Sequence, residues 1–282
     1  MVKKLVKNSE EDFNNIKDIT NTLCNENRNF ELEAHQIFVR NFLSFQTPYN
    51  SLLLFHGLGT GKTCSSILVC EEMRTYLNQI GIHKRIIVVA NKVVQENYKL
   101  QLFDERKLNK VNDVWSLKSC TGNKFLKEIS PMNTRGLSRQ KIISQINKII
   151  NQSYLFLGYT EFANYINRII TKSQSDDYSE EKNKKRKIRA IRHEFSNRLV
   201  IIDEVHNIRK TDILKRTSKN LLEMVTYSEN IKLLLLTATP MFNDYREIIW
   251  ILNLLNLNDN RFPIKISDIF VILLERKNDQ IF

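Results

Sequence analysis

What the chain lacks narrows its chemistry first. It has four cysteines, Cys24, Cys64, Cys70 and Cys120, none in a C-x-x-C pair and none near paired histidines. That scatter argues against a zinc site and against a disulfide framework, and it points to a reducing compartment. Long apolar runs are missing too: stretches such as Leu233 to Leu236 and Ile248 to Leu255 fall well short of a bilayer span. The start, Met1 to Asn8, is basic but carries no apolar stretch of the signal-peptide kind. The expectation is a soluble, cytoplasmic protein with no membrane partner. No internal repeat is evident. Acidic residues are in deficit, 31 against 43 Lys+Arg, which leaves a net charge of +12 and a pI near 9.5. A field of that sign attracts polyanions, nucleic acid first and anionic membrane second. A Lys-, Asn- and Ile-rich composition also follows from an AT-rich genome, so basicity alone does not decide the partner.

With 42% hydrophobic and 26% charged residues, the chain has the material for a sizeable core. Five short apolar runs stand out: Leu52 to Phe55, Ile86 to Ala90, Tyr154 to Leu157, Leu199 to Ile202 and Leu233 to Leu236. Each is of strand length and apolar on both faces, as in a parallel sheet covered by helices. Helical periodicity lies between and after them, over Thr63 to Leu77, Gln140 to Ile150, Leu214 to Tyr227 and Tyr245 to Leu255. The alternation predicts an α/β, doubly wound, mostly parallel sheet with helices on both faces. One stretch breaks the rhythm. Residues 173–192 begin acidic, turn strongly basic from Lys182 to Arg192, and have almost no apolar content. They read as an exposed, solvated insertion with room for some helix, and a phosphate-contacting arm is the sharper alternative.

After the first strand comes His56-Gly57-Leu58-Gly59-Thr60-Gly61-Lys62-Thr63 and then an amphipathic helix. A strand, a Gly-rich turn and a helix are the context of a P-loop, in which glycines let backbone N–H groups wrap a phosphate and the helix start adds its dipole. Lys62 suits the β and γ phosphates, and the Thr63 hydroxyl suits Mg²⁺. The strict pattern places glycine where His56 stands; Gly57 and Gly59 relieve the turn instead, and His56 is read as backbone lining. Further on, Leu199 to Ile202 runs into Asp203-Glu204-Val205-His206. A carboxylate at the carboxyl end of a buried strand faces the ligand crevice of an α/β sheet. Asp203 suits a grip on Mg²⁺ and Glu204 the orientation and deprotonation of a water. The last strand ends in Thr237-Ala238-Thr239-Pro240, small hydroxyls placed to sense phosphates or to bond the acidic pair.

Together, Gly57 to Thr63, Asp203 to His206 and Thr237 to Pro240 resemble motifs I, II and III of superfamily 2 helicases, in order. Leu32 to Gln36 resembles the motif whose glutamine reads adenine, Val88 to Lys92 looks like motif Ia, and Leu157 to Phe162 like motif Ib. His35-Gln36, Phe38-Val39, Asn41-Phe42, Thr47 to Tyr49 and Leu54 to Cys64 are similar to the helicase-like ATPases of nucleocytoplasmic large DNA viruses. That group includes the poxvirus early transcription factor small subunit and viral nucleoside triphosphate phosphohydrolases. Leu236 to Asp244 also resembles the Snf2-type remodellers.

The resemblance implies a RecA-like ATP-binding domain over residues 31–258, preceded by an extension, 1–30, and followed by a tail, 259–282. It implies ATP and Mg²⁺, with Gln36, His56, Gly57, Leu58, Gly59, Thr60, Gly61, Lys62 and Thr63 around the nucleotide and Thr63 and Asp203 on the metal. Lys62, Asp203 and Glu204 carry the catalysis, and His206, Thr237 and Thr239 couple it to nucleic acid. DNA is favoured over RNA as the track, with service in viral transcription. The family also has a second RecA-like lobe that supplies arginines, and no Gln-x-x-Gly-Arg-x-x-Arg run occurs in this sequence. The expectation is one lobe, weak in hydrolysis alone, whose partner lobe or transcription-complex subunit acts in trans. The alternative is a non-hydrolysing nucleotide-binding module docked on a transcription complex.

Overall fold

The computed structural model describes residues 32–269, apart from 58, 133, 210, 211, 242–245, 266 and 268. The extension 1–30, Leu58, residues 242–244 of the third motif and most of the tail therefore lie outside the described residues. In chain order the elements are α1 (Ala34–Phe42), β1 (Ser51–Phe55), α2 (Lys62–Gln79), β2 (Ile86–Val89), α3 (Lys92–Leu102), a 3₁₀ turn (Glu105–Lys107), β3 (Leu108–Val111), β4 (Val114–Leu117) and α4 (Lys124–Ile129). They continue with α5 (Arg139–Ser153), β5 (Tyr154–Leu157), α6 (Tyr159–Ser173), α7 (Glu180–Phe195), β6 (Leu199–Ile202), a 3₁₀ turn (Val205–Arg209), α8 (Asp212–Tyr227), β7 (Lys232–Thr237) and α9 (Arg246–Asn258).

The five expected strands form one parallel sheet in the order β1-β7-β6-β2-β5. Every residue of β2, β6 and β7 is buried. Because strand side chains alternate faces, each strand feeds two cores. Ile86, Val88, Leu199, Ile201, Leu234 and Leu236 face one core with α1 to α5, where Val39, Ile67, Tyr98 and Ile142 pack. Ile87, Val89, Val200, Ile202, Leu233 and Leu235 face the other, against Phe162, Ile191, Leu221 and Leu254 of α6 to α9. The α/β fold with helices on both faces is therefore present as expected. No helix among the described residues is long and apolar enough to cross a membrane.

Three features go beyond the sequence reading. The helix allowed for in the charged stretch is α7, over residues 180–195, started by the Ser179 side chain accepting from the Lys182 N–H and anchored by buried Ile191 and Phe195. An antiparallel hairpin, β3–β4, turns through Asn112 and Asp113, both at positive φ (48° and 65°), the geometry of a two-residue hairpin turn. Cys64 and Cys120 form a disulfide, with Cα atoms 5.6 Å apart, which corrects the expectation of none. Their spacing of 56 residues gives no sign of it; the fold brings the first turn of α2 beside the segment after β4.

Under α2 lies a buried ionic cluster. Arg74 forks onto Glu71 (2.7 Å) and Glu128 (2.8 Å), while Lys124 and the Tyr154 hydroxyl also bond Glu71. Burial alone would raise the Glu71 carboxyl, but Arg74, Lys124 and Tyr154 hold it below its ordinary value. Removing one member of a buried pair strands the others without compensation. Glu71→Ala is expected to cost about 3–5 kcal/mol of stability, read from urea unfolding. The wild-type contribution is present above the unfolded carboxylate range and is lost as pH falls through the depressed folded pKa. A variant as stable as the wild type at pH 7 would contradict this.

Candidate functional site

The register of the sheet brings three loops to one edge. Phe55 of β1 pairs with Thr237 of β7, and Leu235 of β7 pairs with Ile202 of β6. The carboxyl ends of β1, β7 and β6 thus lie side by side, and the glycine loop, the threonine segment and the acidic pair emerge together. Ligands of open α/β sheets bind at that edge.

The loop after β1 needs its glycines. Gly59 and Gly61 have φ of 80° and 79°, a region that strains any residue with a Cβ. At Gly61 an added Cβ would stand 2.6 Å from Gln36 Nε2, so α1 lays the buried Gln36 amide directly on the loop. One residue earlier, His35 Nε2 lies 3.0 Å from the Thr60 carbonyl. Gly61 is also the N-cap of α2 and makes no side-chain cap, which leaves the first-turn amides to the loop mouth. Lys62 Nζ donates to the carbonyls of His56 (2.9 Å) and Gly57 (3.5 Å), and Thr60 Oγ1 donates to Gly57 O at 2.9 Å. The ammonium therefore spans the concavity it would serve. The His56 ring meets that of His35 edge-on at 5.5 Å, and its buried Nδ1 has no hydrogen-bond partner among the described residues. Burial, then the neighbouring His35 and Lys62 charges, hold the His56 imidazole below its ordinary pKa.

At the end of β6, Asp203 N–H donates to Val89 O (2.9 Å), and the Tyr159 hydroxyl at the start of α6 donates to Asp203 O (2.8 Å). The Asp203 carboxyl is pushed up to about 6, by burial above all and then by the Glu204 charge, with Lys62 pulling the other way. Lys62 and Asp203 are thus close enough for each to feel the other's charge. Glu204 takes φ of 43°, a left-handed twist at a residue with a side chain. Its Oε2 lies 3.3 Å from His206 Nδ1 and 3.4 Å from Thr237 Oγ1, which donates to it. His206 Nδ1 is 2.9 Å from Thr237 Oγ1 and 3.5 Å from Thr239 Oγ1, and the Thr239 N–H donates to Thr237 Oγ1 at 3.0 Å.

The acidic pair and the threonine segment, separate in sequence, therefore join in one network of Glu204, His206, Thr237 and Thr239. Thr63 stands half-buried in the first turn of α2. Tyr159 and His35 are site-positioning residues. Sequence reading placed Tyr159 in the run Leu157 to Phe162 and His35 beside Gln36, and gave neither a role of its own.

A carboxylate with a raised pKa weakens the fold when it ionises. The unfolded side chain loses its proton near 3.8 and the folded one near 6, so stability falls across that window as pH rises and the cost is complete above it. In chelator-treated buffer Asp203→Asn is expected to raise Tm at pH 7–8, and the gain is expected to vanish below about pH 4. An equal Tm at pH 8 would contradict the raised pKa.

The SNF2-related domain family matches residues 35–261, from the histidine beside Gln36 to just past α9. An Acanthamoeba polyphaga mimivirus protein provisionally named an ATP-dependent RNA helicase is 25% identical over 86% of this chain and 20% of its own length. A protein of Invertebrate iridescent virus 3, provisionally named a helicase, is 27% identical over 85% of this chain and 21% of its own. An African swine fever virus early transcription factor large subunit homologue is 24% identical over 54% of this chain and 14% of its own. That relative is a large-subunit homologue, whereas the motifs resemble the small subunit of the poxvirus factor. The chain spans about a fifth of the length of the two helicase-named relatives. Glycine loop, acidic pair and threonine segment all fall inside the matched span, and the chain belongs to the SNF2-related domain family.

Proposed function

We propose that this chain is the ATP-binding and ATP-hydrolysing lobe of a nucleic-acid-dependent superfamily 2 motor. The observation that carries the reading is the convergence of Lys62, Asp203 and the Glu204–His206–Thr237 network on one sheet edge. In this reading Gln36 meets the adenine, and the amides and glycines from Gly57 to Gly61 wrap the phosphates. Lys62 leaves the carbonyls of His56 and Gly57 for the β and γ phosphate oxygens. Thr63 and Asp203 are hard oxygen donors of the kind Mg²⁺ takes. When bound, the metal neutralises charge on the β and γ phosphates. Glu204 orients a water and accepts its proton as the oxygen attacks the γ phosphorus, and the bond to the ADP oxygen breaks.

His206 and Thr237 hold the Glu204 carboxylate, and through Thr239 they tie it to the segment after β7. A displacement of that segment by bound nucleic acid therefore moves the base, which is the coupling assigned to these three residues. DNA is the favoured track, in a viral transcription setting. The stabilising arginine comes from a second lobe or a transcription-complex partner, and such an arginine adds about 10³ to 10⁵ in rate. Turnover by the lobe alone is accordingly slow.

Two substitutions separate this reading from a non-hydrolysing docking module. Lys62→Ala is expected to abolish binding of a fluorescent ATP analogue. Glu204→Gln is expected to keep that binding and lower phosphate release by about 10²-fold or more. Unchanged phosphate release in the Glu204 variant, measured with nucleic acid present, would exclude the motor.

A further inference from the structure

Helix α7, in the charged insertion, carries a feature of its own. Between α6 and α7 runs an open groove of about 540 Å³, floored by Ile169 and Ala190. Lys172 lines it from α6, and Arg186, Arg189 and His193 line it from α7. All four are exposed. Positions 186, 189 and 193 are three and four apart, so they stack along one helix face with neighbours about 5–6 Å from each other.

The groove's basic side chains are unmatched by acids among the described residues. Lys185, Lys187 and Arg192, elsewhere on α7, pair with Glu181, Glu223 and Glu229. Glu194, the one acid lining the groove, is already held by Arg198 and the Tyr165 hydroxyl. No acidic partner is found among the described residues for Lys172, Arg186, Arg189 or His193. Arg186 is oriented by a bond from its Nε to Ser173 O (2.8 Å) and lies 4.9 Å over the Tyr178 ring. The groove is also distant from the candidate site. α7 runs within four residues into the amino end of β6, and Arg198 bonds the Arg85 carbonyl just before β2, whereas the glycine loop and acidic pair leave the carboxyl ends.

We propose that the α6–α7 groove binds the phosphodiester backbone of a nucleic-acid strand, without regard to sequence, as a second contact at the edge of the sheet opposite the nucleotide site. Two cationic walls around an apolar floor fit phosphates on both sides and sugar between them. The groove lining has no Phe, Tyr or Trp ring on which a base could stack and no amide side chain to read one. The proposal rests on the reading of the lobe as nucleic-acid-dependent, and the experiment separates the two.

Binding of a fluorescein-labelled duplex is followed by anisotropy across a salt series, for the full chain and for Lys172→Ala/Arg189→Ala. The double variant is expected to bind roughly tenfold more weakly, with a salt slope smaller by about 1.8, two phosphate contacts' worth. The charge-conserving pair Lys172→Arg/Arg189→Lys is expected to restore both. Binding of a fluorescent ATP analogue and thermal melting stay at wild-type values. Equal affinity and slope in the alanine variant would overturn the proposal, as would a variant that keeps duplex binding but loses retention on poly-glutamate, which would assign the groove to an acidic protein. A wild-type chain that binds no nucleic acid at all would overturn the underlying reading along with it.

Discussion

A strand buried on both faces has no side chain to spare for chemistry. In β2 and β6 every position, and in β7 every position from Leu233 to Leu236, is committed to one core or the other. Polar function is therefore displaced to the points where the chain leaves the sheet. Parallel direction then does the rest, since it sends the segments after β1, β6 and β7 out at the same edge. The placement of β7 between β1 and β6 is what sets the threonines beside both the glycine loop and the acidic pair. Shifting any of these strands by one residue would exchange its two cores and carry its loop out of line.

The same edge concentrates electrostatic tension. Asp203 is held at a raised pKa by burial and by its acidic neighbour, relieved only in part by Lys62. Glu204 adopts a backbone twist that side chains avoid, and one hydroxyl and an imidazole fasten its carboxylate. Strain and like charge cluster where a fold expects a ligand to compensate them. The ionic cluster beneath α2 is the opposite case: Glu71, Arg74, Lys124 and Glu128 satisfy one another, and Glu71 is stabilised as an ion. One set of charges is complete within the chain, and the other is arranged for something that arrives.

The sheet was legible because double burial writes unbroken apolar runs, and three of the helices, α5, α8 and α9, were legible because a 3.6-residue period survives in them. Helix α2, expected to be amphipathic, is buried nearly all round and was legible from its place after the glycine loop. The hairpin was not, since β3 buries only Leu108 and β4 only Leu117, and its turn uses Asn112-Asp113 without a glycine. Helix α7 hid behind its own charge: sixteen residues with two buried apolar anchors look like a solvated run until those anchors find a core. The Cys64–Cys120 bond exists only through space. At the site, Gly57 to Thr63 and Asp203-Glu204 were readable from local context. Tyr159 and His35 stood inside quoted motifs, but their contacts were not readable, because each bonds a backbone carbonyl and such a contact leaves no pattern in the residue types around it.

The lysine lying across its own loop has a kinetic meaning. With Nζ already bonded to the carbonyls of His56 and Gly57, the side chain has surrendered much of its rotational freedom before any anion comes near. A lysine carries about 2 kcal/mol of such freedom. In the proposed function an incoming phosphate would exchange acceptors with a tethered ammonium instead of capturing a wandering one. Selectivity at this position would then be a contest between phosphate oxygens and two peptide oxygens, which a weakly charged anion would lose.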